Sequence, residues 1–207
     1  MQGEHARSIW DRKYVQGLPS LEKPDPFFVS AFDRFVSNLF PSGGDALDLA
    51  GGVGRHALFL AQRRWSVTVV DISGVAIRML TQKARQLDLT VNMFAMDAKE
   101  YLFPPDHFDL IVMFYHFDRD TASGVLSTLK PGGLLICKSS VIWKSYEGAT
   151  PLNLRPLEGG EILPMLPGLQ VLHHSERPVR DRGVVEYVGQ KPSAGTIQLA
   201  PPDREFR

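Results

Sequence analysis

The segment Asp48-Leu49-Ala50-Gly51-Gly52-Val53-Gly54-Arg55-His56-Ala57 constrains this chain more than any other part of it. Ala46-Leu47-Asp48-Leu49-Ala50 reads as a short buried strand, and residues 54–64 read as a helix. The glycines therefore form a turn between strand and helix. Glycine adopts positive φ readily and lets a ligand approach the backbone closely. The free N–H groups of the new helix suit an anionic group such as a carboxylate or phosphate. Ala50, Gly52, Gly54 and Arg55 are thus candidate ligand-binding residues, and Arg55 can pair with a carboxylate.

The rest of the chain alternates around this turn. Ser66–Ile72, Thr90–Met96, Phe108–Phe114 and Leu134–Ser139 read as strands; residues 74–87 and 118–129 read as helices, and Pro131-Gly132-Gly133 as a turn. Strands alternating with helices predict a parallel sheet covered on both faces. Leu169–His174 and Val184–Gly189 read as a closing hairpin with a polar loop between them, so one terminal strand should be antiparallel. Before the turn, residues 1–40 read as helical: a short helix near Ser8-Ile9-Trp10-Asp11, then apolar positions Phe28, Ala31, Phe32, Phe35, Val36 and Leu39 at helical spacing. The tail from Ser193 is rich in Pro, Gly and polar residues and reads as flexible. The whole of 1–207 reads as one domain, since 207 residues suit one core and no linker interrupts the pattern.

Two acidic residues reinforce the turn. Asp71 ends the second strand, where an acidic residue in nucleotide-binding α/β folds accepts hydrogen bonds from ribose hydroxyls, with Ile72 beside it. Asp97, in Met96-Asp97-Ala98, closes the third strand on the same carboxyl edge. It can accept from an adenine amino group or cap the short helix that follows. Gly52-x-Gly54-x-x-Ala57 also satisfies the dinucleotide fingerprint, so an NAD-dependent oxidoreductase is a rival reading. Asp48 before the turn, Asp97 after the third strand, and the closing hairpin count against it.

Together these residues carry a family likeness. The turn, Val69-Val70-Asp71-Ile72-Ser73, Met96-Asp97-Ala98, Phe108-Asp109-Leu110-Ile111-Val112 and Leu129-Lys130-Pro131-Gly132-Gly133-Leu134-Leu135 resemble the class I S-adenosylmethionine-dependent methyltransferases. The likeness runs from about Trp10 to Pro192, and is nearest to the small bacterial tellurite-resistance and thiopurine-type group. Gly51 departs from the many relatives with another small residue there. The resemblance implies a Rossmann-like seven-stranded, mostly parallel α/β sheet, order 3-2-1-4-5-7-6, with strand 7 antiparallel and helices on both faces.

It also implies roles. Gly52 and Gly54 would meet the methionyl part of S-adenosyl-L-methionine, Asp48 its amino group, Asp71 the ribose, and Asp97 with Ala98 the adenine. Tyr14 and Trp10, in Trp10-Asp11-Arg12-Lys13-Tyr14, resemble the N-terminal segment that covers the donor. Tyr115 and His116 follow the fourth strand, beside the transferable methyl, and are the candidate catalytic residues; His116 could orient an acceptor, take its proton or line the wall. The implied activity is methyl transfer to a small molecule, with the acceptor site built from the lid, the loop after Phe114, and residues 141–156, including Trp143, Tyr146, Asn153 and Arg155. A donor-binding module without catalysis is the alternative.

Composition trims the options. Lys+Arg and Asp+Glu are both 23, so no large basic field favours nucleic acid. Cys137 is the single cysteine, read as a buried strand thiol, which excludes an internal disulfide and fits a cytoplasmic setting. The apolar runs are strand-length, so no membrane span is expected. No ligand spacing suggests a metal. A monomer or small homo-oligomer is expected.

Overall fold

The computed structural model describes residues 2–17, 22–142, 157–179 and 182–193. Its strands are β1 (Asp45–Leu49), β2 (Ser66–Asp71), β3 (Asn92–Ala95), β4 (Phe108–Phe114), β5 (Leu129–Ile142), β6 (Leu157–Glu158), β7 (Gln170–Val179) and β8 (Arg182–Gln190). They form one sheet of order β3-β2-β1-β4-β5-β8-β7. β1 through β5 pair in parallel, and β8 runs antiparallel to both β5 and β7. This is the expected order with one addition: β6, two residues long, pairs with Val141 and Ile142 at the end of β5.

Neighbouring residues on a strand face opposite sides, so the apolar runs feed two cores. On one face Ala46, Val67, Val69, Leu110, Val112, Leu134 and Ile136 pack against α2 (Pro26–Ala31), α3 (Arg55–Ala61) and α4 (Gly74–Gln86). On the other, Leu47, Leu49, Val70, Ile111, Met113, Leu135 and Cys137 meet α5 (Ala122–Thr128) and α6 (Ile162–Met165). Cys137 is a fully buried strand thiol, as read from the sequence, and burial pushes it up to about 12. No helix among the described residues is long and apolar enough to cross a membrane.

Four details correct the sequence reading. The N-terminal helix α1 spans Gln2–Val15 and begins well before Ser8. The helix expected through Leu39 is α-helical only to Ala31 and continues as a π-helical turn over Phe32–Val36. Leu129 starts β5 instead of ending a helix; Lys130-Pro131-Gly132-Gly133 then loop out before Leu134 pairs with Leu110. Ser175–Pro178 belong to β7, where a polar loop was expected. β7 is an edge strand with several solvent-facing residues, so polar side chains there carry no burial cost.

Candidate functional site

The site lies on the carboxyl edge of the parallel strands, where β1, β2, β3 and β4 end side by side. Four residues there hold positive φ: Ala50 (57°), Gly52 (57°) and Gly54 (74°) after β1, and Tyr115 (59°) after β4. Ala50 and Tyr115 are not glycine, and such strained backbone concentrates at ligand sites. Gly54 needs its lack of a side chain twice over. Its φ is left-handed, and a Cβ would enter Leu80, whose Cδ2 would lie 2.8 Å away. α3 starts directly after it, so its first N–H groups open toward the turn.

Two carboxylates shape the turn from below. Asp71 Oδ2 accepts from Gly52 N at 2.7 Å and Oδ1 from Ser73 N at 2.8 Å. Asp48 Oδ2 accepts from Ala57 N at 3.2 Å, and its carboxyl packs against Gly51, where a Cβ would come within 2.8 Å. Both are buried, at 6% and 1% exposure. Burial raises Asp71 above the usual carboxylate range, opposed by the N–H groups of Ser73 and Gly52. Burial pushes Asp48 up to about 7; the Ala57 N–H and Arg55 pull it down, and Asp71 adds to the rise.

α1 closes the site from above. Tyr14 brings its hydroxyl against Gly52, so a side chain on that glycine would collide with it. Burial and the charges of Asp71 and Asp48 push the Tyr14 phenol well above its ordinary range, so it stays protonated. Trp10 lies tilted beside Tyr14, centroids 6.1 Å apart, with Lys13 Nζ over the Trp10 ring at 4.2 Å from its centroid. The sequence reading missed what anchors the helix. Asp11 Oδ1 accepts from Ser73 Oγ at 2.6 Å and from Val75 N at 3.1 Å, so Asp11 helps to cap α4. Its place between Trp10 and Tyr14 was the only signal.

Between the start of α1 and the ends of β2 and β3 lies a cleft of about 270 Å³, lined by Gly3, Glu4, Arg7, Ile72, Asp97 and Glu100. Asp97 acts as the cap that was one of the two readings given to it. Its Oδ1 caps the following turn through Lys99 N at 3.0 Å, and its Oδ2 faces Gly3 across the cleft. Ala98, the next residue, is buried.

Tyr115 and His116 part company. Tyr115 is half-exposed, and its N–H donates to Lys138 O at 2.7 Å at the end of β5. His116 turns inward, with Asp118, Asp97 and Lys99 as its charged neighbours, and burial lowers its pKa. Its Nε2 is buried without a hydrogen-bond partner. The structure thus brings Asp48, Ala50, Gly52, Gly54, Arg55, Asp71 and Tyr14 together around the turn, and Ile72 and Asp97 around the cleft, while Ala98 is buried and does not line it. Trp143, Tyr146, Asn153 and Arg155 lie outside the described residues.

Beyond Arg55 the sequence reading missed a buried charged cluster. Lys138 on β5 meets Asp25 Oδ1 and Glu186 Oε1, both at 3.0 Å, and Arg55 lies 3.9 Å from Asp25. Burial works against the charge on Lys138, but its bonds to Glu186 and Asp25 outweigh it and raise its pKa. His56 sits beneath: its Nε2 accepts from Asp25 N at 3.3 Å, and its ring packs on Phe114 and Phe28 with centroids 4.3 and 4.7 Å away. Burial, helped by Arg55 and Lys138, pushes His56 down to about 2, so it is neutral.

Comparison with known proteins meets this geometry. Residues 46–133 match the family model described as a methyltransferase domain. A ubiquinone/menaquinone biosynthesis C-methyltransferase UbiE from Psychromonas ingrahamii is 33% identical over 104 residues, 45% of this chain and 41% of that relative. The chain spans about half the length, or less, of the curated relatives it matches. Among solved structures, the [4+2]-cyclase SpnF superposes with a TM-score of 0.72 at 18% identity, covering 93% of this chain and 97% of that one. The N-methyltransferase NodS from Bradyrhizobium japonicum, solved with S-adenosyl-L-homocysteine, gives 0.65 at 18% identity, covering 90% and 98%. At such identities the structural likeness speaks for the fold alone. The narrower likeness to the tellurite-resistance and thiopurine-type group stays a resemblance.

Proposed function

We propose that this chain is a class I S-adenosylmethionine-dependent methyltransferase and that it transfers a methyl group to a small-molecule acceptor by in-line displacement; the match of residues 46–133 to a methyltransferase domain supports this reading. The observation that carries the proposal is the Gly52–Asp71 hydrogen bond under Tyr14. It ties the glycine turn, the ribose-type carboxylate and the lid helix into one cradle.

The residues fit the donor. The Gly52 position leaves room only for a hydrogen, as close backbone approach requires. Asp71 keeps free lone pairs for ribose hydroxyls after serving Gly52 and Ser73. Asp48 offers a carboxylate to an ammonium, and Arg55 a guanidinium to a carboxylate. The 270 Å³ cleft lined by Ile72 and Asp97 suits a flat base. When bound, S-adenosylmethionine supplies an electrophilic methyl on a sulfonium; the acceptor's lone pair forms the new bond as the sulfur leaves as a neutral thioether.

The protein's own part is alignment and exclusion of water, and positioning of this kind can contribute on the order of 7–11 kcal/mol to the barrier. Tyr14 and Trp10 cover the turn. Tyr115 presents the acceptor side at the end of β4, and His116, held neutral, is the group available to take a proton at Nε2.

Calorimetric titration with S-adenosylmethionine and S-adenosyl-L-homocysteine tests donor binding. A tritiated-methyl screen over thiols, phenols, amines and oxyanions then tests turnover. Donor binding with transfer to a small molecule is the expected result. Binding without any transfer favours a non-catalytic module, and NAD binding in place of donor binding removes the proposal.

A further inference from the structure

Gly3, Arg7, Asp11 and Tyr14 follow one another along α1 at spacings of four, four and three, which places them on one face of the helix. Each meets the donor edge of the sheet. Gly3 faces Asp97 across the cleft, where a Cβ would lie 3.3 Å from Oδ2. Arg7 lines the same cleft with Ile72 and Asp97. Asp11 Oδ1 accepts from Ser73 Oγ at 2.6 Å and from Val75 N at 3.1 Å. Tyr14 lays its hydroxyl against Gly52. One helix face thus runs from the end of β3 to the glycine turn after β1.

What holds that face down is polar. Among the described residues neither apolar core includes one from α1; Ile9, Trp10 and Tyr14 are part-buried, and Val15 is 74% exposed. Among the described residues the hydrogen bonds from α1 to the rest of the chain are the two at Asp11. An element with few buried apolar contacts opens locally at low cost. The chain leaves α1 through Gly17, exposed at φ 73° with open space around it, which suits a hinge.

We infer that α1 is a hinged gate on the donor site, latched by Asp11 on Ser73, and that Arg7 is a further donor-binding residue, which lies flat on the base when the gate is shut. This rests on the methyltransferase reading above. A guanidinium is planar and stacks on aromatic faces, and Arg7 stands in the cleft that suits a flat base. The lining of that cleft does not reach Gly52 or Asp48. With Tyr14 on Gly52 and Asp11 on Ser73, α1 bars the way to the turn. The donor enters and its demethylated product leaves only when the latch breaks, so α1 sets the rate of exchange as well as the affinity.

Asp11→Cys combined with Ser73→Cys tests the gate, since the single native cysteine, Cys137, is fully buried. The chain is loaded with tritiated S-adenosyl-L-homocysteine, oxidised with diamide and passed through gel filtration. Oxidised after loading, it should hold the label at least about tenfold longer than the same chain reduced; oxidised before loading, it should take up label at least about tenfold more slowly. Asp11→Ala, read by rapid mixing, should speed uptake and release together, each about fivefold, with affinity changed by less than about twofold, because the latch bond is made with and without ligand. Arg7→Ala should weaken binding about two- to fivefold through faster release alone, and Arg7→Lys should recover little of it. Equal exchange by oxidised and reduced chains, failure of the disulfide to form, or unchanged rates in Asp11→Ala overturns the gate. Unchanged affinity in Arg7→Ala removes Arg7 from the donor site. Failure of the parent chain to bind S-adenosyl-L-homocysteine at all is a different result, which removes the donor reading first and this inference with it.

Discussion

Asp71 Oδ2 accepts the backbone N–H of Gly52 at 2.7 Å, joining the end of β2 to the turn after β1. The same carboxylate caps its own turn through Ser73 N. Asp71→Ala therefore loosens two turns at once and deletes the ribose acceptor. Hydrogen bonds to a charged group contribute about 1.5–3 kcal/mol each. Calorimetry should show donor affinity at least about tenfold weaker. Unchanged affinity would separate Asp71 from the donor.

Gly52→Ala probes the same contact from the other side. Alanine at φ 57° is strained by about 1 kcal/mol, and its methyl would run into the Tyr14 hydroxyl. Thermal melting should fall by a few degrees, as about 1 kcal/mol implies for a chain of this size. Donor binding should drop much more than stability does. Adding Tyr14→Phe should restore part of the stability and little of the binding, because φ stays strained.

Asp11 makes the third expectation. Its carboxylate joins α1 to Ser73 Oγ and Val75 N. Asp11→Ala removes a capping interaction of about 1 kcal/mol and the tether of the lid. Limited proteolysis should cut within α1 sooner than in the parent chain, while cleavage in the sheet keeps its rate. Equal rates in α1 would mean that the Trp10 and Tyr14 contacts hold the helix alone.

The parts legible in the sequence were those that depend on local chemistry. The glycine turn, Asp71 and Asp97 at strand ends, and the closing hairpin are written in neighbouring residues, and the sheet follows from their alternation. The Lys138–Asp25–Glu186 cluster is not local: its members are 113 positions apart in one pair and on separate strands in the other. Lys138 sits in Leu134–Ser139, which reads simply as a strand. The π-helical turn over Phe32–Val36 was hidden because its apolar spacing fits an ordinary helix equally well. Ser175–Pro178 misled because an edge strand tolerates polar residues. The positive φ at Tyr115 is likewise something no residue preference announces.

Asp48 predicts a pH dependence. Its carboxyl sits at about 7 in the folded chain and near its ordinary 3.8 when unfolded. Between those values the folded state holds a proton that the unfolded chain releases. The contribution of Asp48 to stability is therefore full below about pH 4 and is lost as pH rises to about 7. Donor binding runs the other way, because an ammonium needs the ionised carboxylate. Affinity for S-adenosyl-L-homocysteine should rise between pH 6 and 8, with proton release visible as a buffer-dependent heat. Asp48→Asn should flatten the pH profile and weaken binding throughout. A parent profile that is already flat would place the donor's amino group elsewhere.

His116 and Tyr115 are neighbours in sequence and face different surroundings, so their variants should behave differently. His116 is part-buried and held neutral, with its buried Nε2 unpartnered and Asp118, Asp97 and Lys99 as its charged neighbours. A neutral imidazole can accept a proton, and general-base help is worth about 10²–10⁴-fold in rate. His116→Ala should then reduce turnover by at least about 100-fold, with donor affinity changed by less than about threefold, as expected for a group that acts on the acceptor. His116→Asn, which keeps a polar group without a basic nitrogen, should be as slow as alanine if proton transfer is the role. Tyr115→Phe should alter the KM for the acceptor more than kcat, since that side chain lines the approach. Full turnover in both His116 variants would make the residue part of the wall, and would leave proton removal to solvent.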